Sequence, residues 1–542
     1  MMSAVHDPVV PGFTILTMEA VFMRTWRPLF VLSMAVLCLG LLLGAEPALA
    51  QKKTLVVALN QDPDILDPTL ARTYVGRIVF EQMCEKLYEI DENLRIFPQL
   101  AADLPTVSDG GKTVTIKLRP NVKFNDGTPM NAEAVRYSLD RHLNMKGSNR
   151  RSELESVNSI DVVDPLTVRL RLKVPSSPLL AILADRAGMP VSPAVATKLG
   201  DKFGTAPVCV GPWQYVERVS QDRIVLERSP HYFDKSVAKF DRLVFRIIPD
   251  DNVRLANLRS GDIDMMHLVA PTDAANLRKE GKYEVSSVTG IGYSGITINL
   301  RNKNGKPPAP PGDLGTPLAN DPRVREALDL SIDRVALNQV AWDGQYTPGC
   351  TPISPVSPFA DKSRKCPTRD VAKAKKLLAD AGQGNGYSFE MMIVNDPQQR
   401  RVAEVVQGMA KETGFNISLK PSEFASALNE NDAGKDQAFL IGWSGRVDPD
   451  ANIFQFQTCG ASLNTTQACD EGLDVILNRA REVSDVAQRI SLYRQAIDKF
   501  AFARRNILYL YHLNYIVSYP KNLKGYKAVP DGLIRLKGVS WQ

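Results

Sequence analysis

Two stretches of this chain begin like the sharp turn that presents a nucleophilic serine, Gly442-Trp443-Ser444-Gly445-Arg446 and Gly292-Tyr293-Ser294-Gly295-Ile296. Each lacks the glycine two residues after the serine that a strand-to-helix elbow needs, so neither fits acyl transfer. Beyond the N-terminal segment the histidines are His142, His231, His267 and His512, and none stands in a His-Glu-x-x-His or other close ligand spacing. No hydrolytic or structural metal site is expected from them. The chain has no Gly-x-x-x-x-Gly-Lys-Ser/Thr segment, which removes P-loop nucleotide hydrolysis. A secreted hydrolase built on two carboxylates stays open as an alternative, because sequence does not give their separation. What remains is binding without bond-making, a chemistry that requires no cofactor.

One cation has a reason to hold an anion. Asp396-Pro397 reads as a helix start, and Val402, Val405, Val406 and Met409 carry the helical period behind it. Arg400 then falls in the first turns, where free backbone N–H groups and the positive helix end favour a carboxylate or phosphate. A solvated Arg400-Arg401 pair on the helix surface is the alternative.

The elements that must position such residues lie behind an export signal. Arg24 and Arg27 precede an apolar run over 29–45 and then Ala48-Leu49-Ala50, the three-part plan of a secretory signal peptide removed after Ala50. A permanent anchor is the alternative, at the lower length limit for spanning a bilayer. Residues 1–22 precede the whole pattern, and Met23 directly before Arg24 marks them as an over-extended start. Cys38 follows Leu37, where a lipoprotein cysteine would need a small residue. The mature chain keeps 492 of 542 residues, with 64 basic against 57 acidic side chains. That length gives room for about three domains. The basic residues are spread, so no nucleic acid is expected as a partner. No second apolar run reaches bilayer length, so a soluble periplasmic product is expected.

Six cysteines remain after Cys38 leaves. In an oxidising compartment the two local pairs expected are Cys459 with Cys469, around a polar loop, and Cys350 with Cys366, bracketing Pro352, Pro355 and Pro358. Cys84 and Cys209 either pair by elimination or stay as buried thiols. None of the six forms a Cys-x-x-Cys, so redox and zinc roles lack support.

Alternation of apolar and polar residues predicts strands at 55–59, 113–118, around Val168, Leu170 and Leu172, and around Leu243, Phe245 and Ile247. Helices dominate the second half. Asp321-Pro322 offers an N-cap and a first-turn proline ahead of Val324, Ala327 and Leu328, and Val371, Ala374, Leu378 and Ala381 run to Gly382. Val486, Ile490, Tyr493, Ile497 and Phe500 form the longest stripe, behind a cap at Ser484 or Asp485. The proline-rich segment 303–312 reads as a loop insertion or domain junction. Strands and helices mixed throughout indicate an α/β class.

Several ordered stretches resemble the extracytoplasmic solute-binding proteins of the peptide, nickel and opine class (family 5) that serve ABC importers. They are Asp64-Ile65-Leu66-Asp67-Pro68, EQMCEKLYE at 81–89, Leu100-Ala101-Ala102-Asp103 and Asp109-Gly110-Gly111-Lys112-Thr113. Val122-Lys123-Phe124-Asn125-Asp126-Gly127-Thr128-Pro129, Gly211-Pro212-Trp213, Leu258-Arg259-Ser260-Gly261-Asp262-Ile263-Asp264 and Val324-Arg325-Glu326-Ala327-Leu328 follow. The likeness spans essentially the whole mature chain.

This resemblance implies a periplasmic-binding-protein-like bilobal clamp with mixed sheets and an additional small domain. The first lobe would take 51–93, 210–299 and 508–542, the additional domain 94–209, and the second lobe 300–507. The hinge would cross near 299–302 and 505–508. In the family, the segment matching Gly442-Trp443 lines the pocket, which places Trp443, Ser444, Gly445 and Arg446 at the ligand. Peptide-binding members carry there an aspartate for the peptide's amino group, three residues after the tryptophan, and this chain has Arg446. An arginine repels an ammonium. An internal ion pair of Arg446 with Asp448, Asp450 or Glu423 is the alternative reading. Some dipeptide binders hold the ligand carboxylate with an arginine at the position of Arg400. Tyr293 and Asn299 fall where the family's central cleft strand runs, although core strand packing explains the same pattern.

The expected protein is thus a monomeric solute-binding component that delivers a peptide or peptide-like carboxylated solute to an inner-membrane ABC permease. A nickel-chelate or haem carrier of the same class is the competing reading.

Overall fold

The computed structural model describes residues 54–542. The export signal, the cleavage after Ala50 and Cys38 lie outside the described residues. Among those described, no helix is long and apolar enough to cross a membrane.

Thr54–Leu59 (TLVVAL) has no exposed residue because both its faces are covered. Leu55, Val57 and Leu59 pack with Phe80, Trp213 and Phe240, while Ala58 packs with Leu255, Leu258 and Ile516 on the other side. The strand pairs in parallel with Arg242–Ile247 and Met265–His267, and doubly covered parallel strands read as unbroken apolar runs. Seven strands complete this sheet, in the order Tyr283–Thr289, Asn514–Pro520, Met265–His267, Thr54–Leu59, Arg242–Ile247, Arg223–Arg228 and Trp213–Val219. A second sheet of six runs Thr347–Pro348, Ile507–His512, Tyr293–Ile298, Ala438–Trp443, Tyr387–Val394 and Phe415–Ser422. A third, of four antiparallel strands between Thr106 and Leu172, carries the additional domain, where Val114, Ile116, Val168 and Leu170 turn inward. The mixed-sheet bilobal clamp with an extra domain is therefore the fold.

The capping signals behave as their chemistry requires. Asp321 caps Pro322–Ser331, and Asp396 caps Pro397–Lys411 by accepting from the Gln399 N–H at 2.9 Å. Val371–Asp380 stops before Gly382, which has φ +76°. Asp485 caps Val486–Ile497, whose Tyr493 and Ile497 are buried together with Phe500 of the following segment Asp498–Arg504. Val486 itself is exposed, because the first turn projects beyond the core it caps.

Tyr293–Ile298 and Ile507–His512 are neighbours in the second sheet, so the chain passes between the two large sheets at 290–292 and again at Leu513, beside the expected hinge near 299–302 and 505–508. Apolar strands on both sides of each crossing hide it from a pattern reading. The two crossings are bonded to each other, Gly290 N to Leu513 O at 2.8 Å and His512 Nδ1 to Gly292 O at 2.7 Å. A side chain at Gly292 would stand 2.2 Å from the Trp443 carbonyl, which only glycine permits.

All three cysteine pairs close, Cys84–Cys209, Cys350–Cys366 and Cys459–Cys469, with Cα separations of 4.9, 5.5 and 4.6 Å. The first decides between the two readings left open by the sequence.

His142, His267 and His512 are buried and hydrogen-bonded, to Thr69, Tyr74 and the Gly292 carbonyl respectively. Burial, then the Arg254 charge, lowers His267 to about 3. An unfolded histidine titrates near 6.5, so between these values the unfolded chain takes up a proton that the folded chain refuses. The resulting stability is whole above pH 6.5 and is lost as the pH falls toward 3. His267→Phe is expected to flatten the fall by about 1.4 kcal/mol per pH unit between about pH 5.5 and 4 relative to the parent chain. Urea midpoints of the two proteins across that range measure it, and parallel slopes would refute it.

Candidate ligand-binding site

A cavity of about 130 Å³ opens between the lobes, lined by Arg72, Thr73 and Tyr74 on one side and by Tyr293, Trp443 and Ser444 on the other. Antiparallel register sets Tyr293 directly opposite Trp443, which is why two aromatic residues 150 positions apart share one wall. Phe424 and Phe456 complete an aromatic lining, with Trp443 and Phe456 edge to face at 4.8 Å. At the rim, Arg72 of the first lobe meets Asp432 of the second at 2.5 Å, and Lys306 meets the same carboxylate at 3.0 Å.

The loop after Ala438–Trp443 is shaped by Gly445 and Asn452. Gly445 has φ +79° and lies so close to the backbone of Ile291 that a Cβ would sit 2.4 Å from it. Asn452 Oδ1 accepts from the Trp443 indole at 3.0 Å and the Arg446 N–H at 2.8 Å, and its Nδ2 donates to the Arg446 carbonyl at 3.1 Å. One side chain thus fixes both ends of the Trp443–Arg446 turn.

Arg446 is buried, with its guanidinium 4.5 Å from the Trp443 ring centre. Its partner is none of the three acids considered from sequence. It pairs with Asp185 of the additional domain, while Asp448 pairs with Arg489 and Asp450 with Arg481. Arg77 of Tyr74–Met83 reaches the same Asp185 at 3.2 Å. Ser444 Oγ accepts from Arg77 at 3.1 Å and from Arg446 at 3.3 Å, so the cavity wall and the cations behind it share one hydroxyl. Burial, and after it the Arg77 charge, brings Arg446 down to about 10, against the pull of Asp185. Burial alone would raise Asp185, but Arg446, Arg77 and Arg186 hold it well below the usual carboxylate range. The Asp185 carboxylate and the guanidiniums of Arg77 and Arg446 are charged at neutral pH.

Trp443, Ser444 and Tyr293 therefore line the cavity, and Gly445 and Arg446 stand directly behind it. Asn299 and Arg400 are not brought there. The Asn299 amide is spent on the backbone, donating to the carbonyls of Asn302 at 3.1 Å and Asp436 at 3.0 Å and accepting from Asn302 N at 2.8 Å. Arg400 is exposed on its helix, and the helix N-terminus expected to take an anion is served by the chain's own Asp396. Sequence reasoning missed Arg77, Arg150, Asp185, Arg186 and Asn452. A signal existed for one pair: Asp185-Arg186 interrupts an otherwise apolar run over 179–191, and a charged pair in such a run is buried and partnered.

Among the described residues, no group of three or more histidine, cysteine, aspartate or glutamate side chains could hold a metal ion. An interlobe cavity with aromatic walls and cationic backing suits reversible capture of an organic anion.

Comparison with known proteins agrees with this geometry. Residues 95–464 match the family of bacterial extracellular solute-binding proteins, family 5 (middle). The glutathione-binding protein GsiB of Shigella dysenteriae is 29% identical over 492 residues, covering 88% of this chain and 93% of that protein. The GsiB of Salmonella typhi is 30% identical over 511 residues, covering 92% and 96%. Among solved structures, the PBP AgaA of A. tumefaciens R10 in complex with agropinic acid superposes with a TM-score of 0.81 at 25% identity, covering 90% of this chain and 99% of that one. The binding protein DppA of Helicobacter pylori in complex with the peptide STSA gives 0.80 at 22%, covering 90% and 98%. With the family match running through the additional domain, the hinge and most of the second lobe, the chain belongs to family 5 of the bacterial extracellular solute-binding proteins.

Proposed function

We propose that this chain is the periplasmic binding component of an ABC importer, capturing a peptide-like solute that carries more carboxylates than amines. It closes its lobes over the solute and hands it unchanged to an inner-membrane permease, working as a monomer exported by a signal peptide cleaved after Ala50. The observation that carries the reading is Arg446, buried against Trp443 at the cavity wall, where the resemblance to peptide binders calls for an acceptor of ammonium. A guanidinium there attracts carboxylate and repels a free N-terminus. The relatives named for glutathione and the structure holding agropinic acid, both acids, support the same class. Closure follows from contacts made by both lobes to one guest, which favour the closed state over the open one.

Calorimetry on the purified protein tests this with three kinds of compound: dicarboxylates such as glutathione, amino-blocked dipeptides, and ordinary dipeptides. The first two are expected to bind more tightly than the third. Ordinary dipeptides binding tightest would overturn the reading.

A further inference from the structure

The cations behind the cavity exceed what their partners balance. Arg150 and Arg186 are wholly buried and donate to the same Ala71 carbonyl, at 3.3 and 2.7 Å, which sets their guanidiniums side by side. Arg150 also holds Glu153 at 2.6 Å. Yet Arg150 Nε, Arg186 Nε and Nη2, and Arg446 Nη2 are buried without a hydrogen-bond partner. Asp185 and Glu153 are the carboxylates in ion-pair range of four guanidiniums, those of Arg77, Arg150, Arg186 and Arg446, with Asp531 and Glu81 acting on Arg77 from farther off, so the cations outnumber the acids that touch them.

Single unpartnered guanidinium nitrogens also occur at Arg254, Arg334 and Arg504, but Arg186 leaves two, and a fully satisfied buried arginine is seen at Arg489. Arg489, also buried, is held by both oxygens of Asp448 at 2.7 Å, and its remaining nitrogen Nε donates to the Ala480 carbonyl at 2.9 Å. A buried cation left unpaired is strongly unfavourable, and a cluster of them is stable only beside an anion. Burial, reinforced by Arg150, depresses Arg186 well below the ordinary arginine value, the direction expected of a cation awaiting a counter-charge. The cluster touches the cavity wall through Ser444 and Trp443, so an anion seated in the cavity lies one side chain away from it.

We infer that Arg150 and Arg186, with Arg77 and Arg446, form a subsite for a dianionic group of the solute, in which Asp185 stands in for one of the charges. The inference rests on the carboxylated-solute reading and adds to it the number of charges and their place. The shared chemistry is a compact oxygen dianion, supplied by a pair of nearby carboxylates or by a phosphate. Planar guanidiniums with parallel N–H groups match either. Asp185 leaves Arg446 as the guest's carboxylate arrives, so one ion pair is exchanged for another.

Thermal unfolding of the full chain at constant ionic strength provides the test, with succinate, inorganic phosphate and acetate as probes. Succinate or phosphate is expected to raise the melting midpoint where acetate at equal concentration does not, and the better of the two identifies the source of the charge. Arg186→Met should leave the anion-free protein at least as stable, because it removes an unpaired buried charge, and should weaken the dianion response at least tenfold. Asp185→Asn, which removes the stand-in, should strengthen that response. A parent protein indifferent to both dianions would overturn the inference. So would an Arg186→Met chain that is destabilised yet responds undiminished, or an Asp185→Asn chain with an unaltered response. Acidic solutes whose calorimetric affinity depends on Arg446 but not on Arg186 would sink the subsite and spare the functional reading. Dianion stabilisation lost in Arg186→Met, alongside tighter binding of ordinary dipeptides, would do the reverse.

Discussion

Arg446→Asp is expected to lower the affinity for an acidic solute at least a hundredfold, about 2.7 kcal/mol, and to create affinity for ordinary dipeptides. The cluster of four guanidiniums and two carboxylates would become three of each, so the attraction for an anion disappears. The new carboxylate would stand beside the indole of Trp443, where an incoming ammonium finds a partner. Truncating or reversing one member of a buried charge pair typically costs 2–5 kcal/mol of binding, about the size expected here. The turn itself should survive, since Asn452 holds the backbone N–H and carbonyl of residue 446 and not its side chain. Calorimetry with glutathione and with an ordinary dipeptide, on variant and parent, measures both halves. Equal glutathione affinity in the two proteins would show that Arg446 serves only Asp185.

The largest effect on stability is expected from Cys84 and Cys209. They join residues 125 positions apart, against 16 and 10 for the other pairs. Chain-entropy reasoning assigns about 5 kcal/mol to the long loop and about 3 kcal/mol to each short one. Both sulfur-bearing residues are almost wholly buried in the core of the first lobe, next to Phe203 and Trp213, so replacement also loses packing. The double variant Cys84→Ala with Cys209→Ala should therefore show the lowest urea midpoint of the three double-alanine variants. Three equal midpoints would contradict the ranking.

The fold was legible where local chemistry decides structure. Asp321-Pro322, Asp396-Pro397 and Asp485 mark helix starts because an aspartate side chain accepts the free N–H groups of the first turn, whatever lies around it. The strands at 113–117 and 167–172 alternate because each shows one face to solvent. The hinge was less legible. Tyr293–Ile298 and Ile507–His512 are central strands with almost no exposed residue, and their pattern is the same whichever sheet they join. For the site, the ordered resemblance led to Trp443, Ser444, Tyr293 and Arg446, which adjacent strands and one loop bring together. Arg77, Arg150 and Arg186 come from three separated segments, and their meeting is a product of tertiary packing with no spacing to reveal it. Arg400 stands exposed at a helix start whose free donors the chain's own aspartate meets, as readily as a guest would.

The doubled crossing has a thermodynamic consequence. Among the described residues two strands of chain connect the two large sheets, one of three residues and one of a single residue, and they are pinned to each other by Gly290–Leu513 and His512–Gly292. A door hung on two adjacent pins swings but does not wander, so its motion reduces to one angle. Shutting it forfeits little disorder, and most of the attraction generated at the guest is left to appear as affinity.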